Sequence, residues 1–117
     1  MGKLTTHVLD THSGIPAGGV RIELREITSM GSQLLGMFVT AENGRCAEPL
    51  LQDDRFRCGC YELTFHVADY FRSRGVALSD PAFVESAVVR IGIAQPDQHY
   101  HVPLLMTPWS YSVYRGG

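Results

Sequence analysis

Charge is sparse in this chain, and none of it is arranged to grip a polyanion. Charged residues are 19% of the 117 positions, and ten scattered Lys and Arg face twelve Asp and Glu for a net charge of −2. A phosphate backbone calls for a basic stripe, so nucleic acid is excluded as a partner. No apolar run approaches the roughly 18 residues of a membrane-crossing helix, and the amino terminus has no apolar leader. No membrane partner is expected. The expected location is the cytoplasm, or the periplasm if a leader peptide has been removed. Met1-Gly2-Lys3-Leu4-Thr5-Thr6 formally fits a myristoylation pattern, but the pattern is short and an acyl chain there would crowd the first strand.

Cysteine is scarce as well. Cys46, Cys58 and Cys60 are odd in number, no C-x-x-C pair occurs, and Cys58-Gly59-Cys60 is too close for an easy bridge. A disulfide framework is therefore excluded, and small buried or half-buried thiols in a reducing compartment are expected. The chain contains no internal repeat and no low-complexity segment. Its length is that of one domain able to bury a core without staples, so residues 1–117 are expected to form a single domain.

Alternation of apolar and polar residues dominates the rest. Leu4 to Thr11 reads as a strand with Thr5, His7 and Leu9 on one face and Thr6, Val8 and Asp10 on the other. Val20 to Ile27 alternates most cleanly, and Gln33 to Thr40 follows it after a turn at Ser29–Ser32. Ala41-Glu-Asn-Gly44 closes that pair, with Arg45 just beyond. Tyr61 to Val67 and Ser86 to Ile93 are two further strands, separated by one short helix over Ala68 to Gly75 whose glycine supplies a C′ cap. Seven or so short strands with one helix predict an all-β antiparallel sandwich.

The carboxy-terminal segment, His99-Tyr-His-Val-Pro-Leu-Leu-Met-Thr-Pro-Trp-Ser-Tyr-Ser-Val-Tyr-Arg-Gly-Gly117, puts polar groups capable of chemistry into strand pattern. His99 and His101 share one face, Tyr100, Val102, Leu104 and Met106 the other, and Trp109 to Arg115 returns after Thr107-Pro108. Two histidines at i,i+2 on a strand are also a plausible zinc pair, but no Asp, Glu or Cys beside them offers ligand spacing. No metal is assigned. His12 and His66 read as solvent-facing, and Trp109, Tyr111 and Tyr114 read mainly as packing groups.

Leu4-Thr-Thr-His-Val-Leu-Asp-Thr11 with Gly14-Ile-Pro-Ala17, Asn43-Gly-Arg45, and the final His-Tyr-His-Val-Pro-Leu-Leu and Tyr-Arg-Gly segments together resemble the 5-hydroxyisourate hydrolase family, the transthyretin-related enzymes of urate breakdown. The resemblance covers essentially the whole chain. It implies a transthyretin-like sandwich of seven to eight strands, assembled as a homotetramer, a dimer of dimers, with grooves at the dimer–dimer contact. It implies hydrolysis of 5-hydroxyisourate to 2-oxo-4-hydroxy-4-carboxy-5-ureidoimidazoline, without a cofactor. The positions matching the family's groove are His7, Arg45 and His101 as catalytic residues, with His7, Arg45, Tyr114 and Arg115 binding substrate. Chemically, an imidazole can take a proton from water and a guanidinium can hold a planar anion and a developing oxyanion. The family's terminal serine is replaced by Gly117, and a water, the terminal carboxylate or Ser112 is left to compensate. The rival expectation is a transthyretin-like small-molecule carrier without activity. His7, Arg45 and His101 disfavour it, because buried charges would lie unpaired beneath an apolar ligand. An inert sandwich module is a weaker rival.

Overall fold

The expected alternation becomes two four-stranded sheets packed face to face. The computed structural model describes residues 2–117, so the Met1 position of the myristoylation pattern lies outside the described residues. In chain order the elements are β1 (Leu4–Asp10), β2 (Ile15–Pro16), β3 (Arg21–Thr28), β4 (Gly31–Val39), a single 3-10 turn (Asp53–Arg55), β5 (Gly59–Phe65), α1 (Val67–Ser73), β6 (Ala87–Ile93), β7 (Tyr100–Met106) and β8 (Tyr111–Val113). One sheet has the order β2-β1-β7-β8 and the other β4-β3-β5-β6.

In β1 every second residue is buried, from Leu4 through Thr6 and Val8 to Asp10. β7 contributes Tyr100, Val102, Leu104 and Met106 to the same interior, opposite Ile22 and Leu24 of β3 and Tyr61, Leu63 and Phe65 of β5. Each such aliphatic side chain contributes roughly 2 kcal/mol of transfer free energy. Leu35 is the extra residue of a bulge where β4 passes Leu24 and Arg25, and it packs against the core.

The tightest local prediction concerns the helix end. Gly75, at φ 82, follows the C-cap Arg74; its N–H donates to the Arg72 carbonyl and that of Val76 to Phe71. These two bonds form a Schellman motif, which stops α1 one turn after its buried residues Tyr70 and Phe71. Tyr70 reaches from there into the other sheet, donating its hydroxyl hydrogen to Asp10 Oδ2 at 2.9 Å.

Five expectations are corrected. β1 and β7 run parallel, in register from Leu4 opposite Tyr100 to Asp10 opposite Met106, so the sandwich is not antiparallel throughout. The final strand is only Tyr111–Val113, because Thr107 binds Ser110 in a turn and the chain leaves the ladder after Val113. With no strand outside it, this short edge leaves Trp109, Tyr111 and Tyr114 exposed rather than packed. His66 is not a solvent-facing side chain: its Nε2 pairs with Glu23 Oε2 at 2.6 Å, and Glu23 also binds Arg25. Cys58, expected to be at least half-buried, is exposed, with its thiol hydrogen bonded to the Ala94 carbonyl.

Candidate active site

The outer face of the β1–β7 pair carries the side chains that alternation excludes from the core. Thr5 opposes His101, His7 opposes Pro103 and Leu9 opposes Leu105 across the parallel ladder. His7 and His101 are both half-buried. Two backbone devices bring the remaining groups to this face.

The Ala41–Arg45 turn is the first. Gly44 adopts φ 82 and its carbonyl accepts the Val8 N–H at 2.9 Å, which docks the turn on β1. A Cβ at Gly44 would lie 2.4 Å from the Val8 carbonyl oxygen, so the approach requires glycine. Asn43 Oδ1 accepts the Arg45 N–H at 2.9 Å. Arg45 then forms a β-bridge with His7. Its guanidinium has no acidic partner among the described residues and is exposed.

The same turn fixes His7. Nε2 of His7 lies 2.8 Å from the Asn43 carbonyl oxygen. A carbonyl only accepts, so Nε2 carries a hydrogen in either charge state, and Nδ1 is the nitrogen that can gain or lose one.

His101 is held differently. Its Nδ1 is 2.8 Å from Thr5 Oγ1. Burial pushes its pKa below the usual histidine value, and the nearby charges of Arg45 and His7 push it in the same direction. At neutral pH this imidazole is therefore an uncharged base.

The second device is the tail. Gly116 donates its N–H to the His101 carbonyl at 2.7 Å and bridges to it. Arg115 folds back: its Nη2 donates to Gln98 Oε1 at 3.1 Å and to the His99 carbonyl at 3.0 Å, with the guanidinium carbon 4.0 Å from the Tyr100 ring centroid. This guanidinium is engaged in anchoring the tail. Tyr114 is 58% exposed, beside a cleft of about 460 Å³ that Val89, Ile91, Tyr100 and Arg115 also line. That cleft contains neither His7, Arg45 nor His101. A smaller one, about 130 Å³, is lined by Thr5, Arg45 and Glu48 but by neither histidine.

The structure thus brings His7, Arg45 and His101 together, whereas Tyr114 and Arg115 line the separate, larger cleft. His99 precedes β7 and is exposed, and among the described residues no three metal-ligating side chains converge. Ser112 pairs with Leu105, toward the far end of β7 from His101. Open space surrounds Gly117. Sequence reasoning missed Thr5, although it placed Thr5 on the face of His7, and it missed the Asn43 carbonyl.

Comparisons with known proteins give the family and the fold. The family model described as the HIUase/Transthyretin family matches residues 4–116. A 5-hydroxyisourate hydrolase from Pseudomonas aeruginosa is 51% identical over 116 residues, covering 99% of this chain and 92% of the relative. Among solved structures, (S)-allantoin synthase superposes with a TM-score of 0.93 at 45% identity, covering 99% of this chain but 44% of that one. Sea bream transthyretin in complex with thyroxine superposes with a TM-score of 0.86 at 28% identity, covering 97% of this chain and 94% of that one.

Proposed function

Because the chain belongs to the HIUase/Transthyretin family, we propose that its His7, Arg45 and His101 form the active site of a 5-hydroxyisourate hydrolase. The protein is a hydrolase, and its reaction is the hydrolysis of 5-hydroxyisourate, the substrate named for relatives of about half-identical sequence. One observation supports the assignment of residues above others: two imidazoles and an unpaired guanidinium share the outer face of β1 and β7, close enough that Arg45 and His7 depress the basicity of His101.

The chemistry follows from that cluster. Water is a poor nucleophile at neutral pH, so its proton passes to His101 as its oxygen bonds to the ring carbonyl carbon. The carbonyl oxygen becomes negative, and Arg45 stabilises it with charge-assisted hydrogen bonds. The carbon–nitrogen bond then breaks, its electron pair stays on nitrogen, and His101 returns the proton to that nitrogen. The ring opens to a carboxylic acid, which releases its remaining water-derived proton to solvent as it becomes a carboxylate, and His101 is regenerated. His7 faces the substrate with Nδ1, and Tyr114 closes the flank that Arg115 anchors.

Two copies of this open face build a complete groove, with the chain acting as a homotetramer of two dimers and the sites between them. Supporting this is the shallowness of the face in one subunit, where Arg45 is exposed and Leu9 and Leu105 are half-buried. Among the described residues no helix is long and apolar enough to cross a membrane.

The test is the ultraviolet decay of freshly generated 5-hydroxyisourate. Decay accelerated by catalytic amounts of protein supports the reading. A spontaneous rate in its presence, together with saturable thyroxine binding, favours a carrier instead.

A further inference from the structure

Thr5 and His101 are register partners in the parallel β1–β7 ladder, and a 2.8 Å hydrogen bond joins Thr5 Oγ1 to His101 Nδ1. The opposite edge of the imidazole is closed by the tail: a Cβ on Gly116 would lie 2.7 Å from His101 Cδ2 and 3.4 Å from Cγ. With Nδ1 bonded and Cδ2 covered, the Cε1–Nε2 edge is what remains for the groove. We propose that Thr5 is a positioning residue that accepts a hydrogen from His101 Nδ1, so that His101 exchanges protons with water and the departing nitrogen only through Nε2. This deepens the proposed mechanism, and its activity arm rests on that mechanism.

For Nε2 to take a proton and return it in one turnover, Nδ1 must keep its hydrogen throughout, and a neighbour must accept that hydrogen throughout. A hydroxyl oxygen does so without charge. A carboxylate in the same place would hold the same tautomer but would draw His101 toward its protonated form, against the influence of Arg45 and His7. The two imidazoles are consequently held by opposite nitrogens, His7 by Nε2 on the Asn43 carbonyl and His101 by Nδ1 on Thr5. Their free nitrogens, Nδ1 and Nε2, are then available to one substrate.

Two variants of the full chain and a spectroscopic measurement test this. Thr5→Val keeps the shape and removes the hydroxyl, and Thr5→Ser keeps the hydroxyl. Thr5→Val should lower kcat by about 10- to 100-fold with KM within about threefold, while Thr5→Ser stays within about threefold of wild type. Nitrogen-15 NMR of the imidazoles should give His101 of the resting wild-type protein as the Nδ1–H tautomer and a tautomer mixture in Thr5→Val. Wild-type kcat in Thr5→Val, or an Nε2–H tautomer in the wild-type protein, overturns the proposal. If Thr5→Val does not fold, the wild-type tautomer and Thr5→Ser decide. A wild-type protein without hydrolase activity sinks the functional reading instead, and the tautomer still decides this one.

Discussion

Adding one methyl group at Gly116 probes how tightly the tail holds the imidazole. The new Cβ would sit 2.7 Å from His101 Cδ2, about 0.7 Å short of ordinary contact at 3.4 Å, and 3.2 Å from Pro103 Cγ. Either the tail or the ring must yield. The tail is anchored by Arg115 on Gln98, the His99 carbonyl and the Tyr100 ring, and by the Gly116 N–H itself. The ring has one hydrogen bond, to Thr5 at 2.8 Å, so the ring moves. A shift of about 0.7 Å away from the tail drives Nδ1 against Thr5 Oγ1 or swings the ring out of line with it, and either spoils the 2.8 Å bond. Local overpacking of ~1 to 2 kcal/mol should lower the thermal midpoint by about 4 to 8 °C. Misplacing the base by most of an ångström should lower kcat by roughly 100-fold. Circular dichroism melting and substrate decay measure the two effects separately. A Gly116→Ala protein with kcat within twofold of wild type would refute the idea that this tail positions His101.

Other predictions follow from the same contacts. Arg45→Ala should lower kcat/KM by about 100- to 1000-fold. It should also raise the pH midpoint of the acid limb, since that limb reports protonation of His101 and Arg45 is one cause of its lowered pKa; a limb moving down in the pH profile contradicts this. Tyr70→Phe should cost about 2 kcal/mol in thermal unfolding, because it removes a hydrogen bond to the buried Asp10 carboxylate. Burial alone would raise the Asp10 pKa, but hydrogen bonds from Ser13, Tyr70 and His12 hold it below 3.8. Its stabilising contribution is therefore complete above the unfolded value and disappears as pH falls through the lower folded one. The stability gap between wild type and Asp10→Asn should accordingly close only below about pH 4. Leu105→Glu, on the outer face between β1 and β8, should yield smaller particles by light scattering and no hydrolase activity; an active tetramer would argue against sites between dimers.

Much of the fold is legible because one face of each central strand is buried. Leu4, Thr6, Val8 and Asp10, or Tyr61, Leu63 and Phe65, declare their direction through a period of two, and Gly75 declares the end of α1 through its backbone angle. Partner choice has no such local signal. Nothing in the spacing of Leu4 to Asp10 says that its neighbour is Tyr100 to Met106, or that the two run parallel. The exposure of Trp109, Tyr111 and Tyr114 escaped the pattern for a related reason: apolar residues imply burial only when another strand covers them, and β8 is an edge. At the site, family motifs pointed to His7, Arg45 and His101. The groups that hold the imidazoles, a backbone carbonyl at Asn43, a hydroxyl at Thr5 and the missing side chain at Gly116, depend on spatial contacts that no linear spacing encodes.

The most direct measurement compares wild type and His101→Asn at equal concentration, following ultraviolet decay of 5-hydroxyisourate at neutral pH while light scattering reports assembly. Loss of the general base predicts at least about a 100-fold lower rate with the oligomer unchanged. Equal rates for the two proteins would contradict the assignment of His101 as the base.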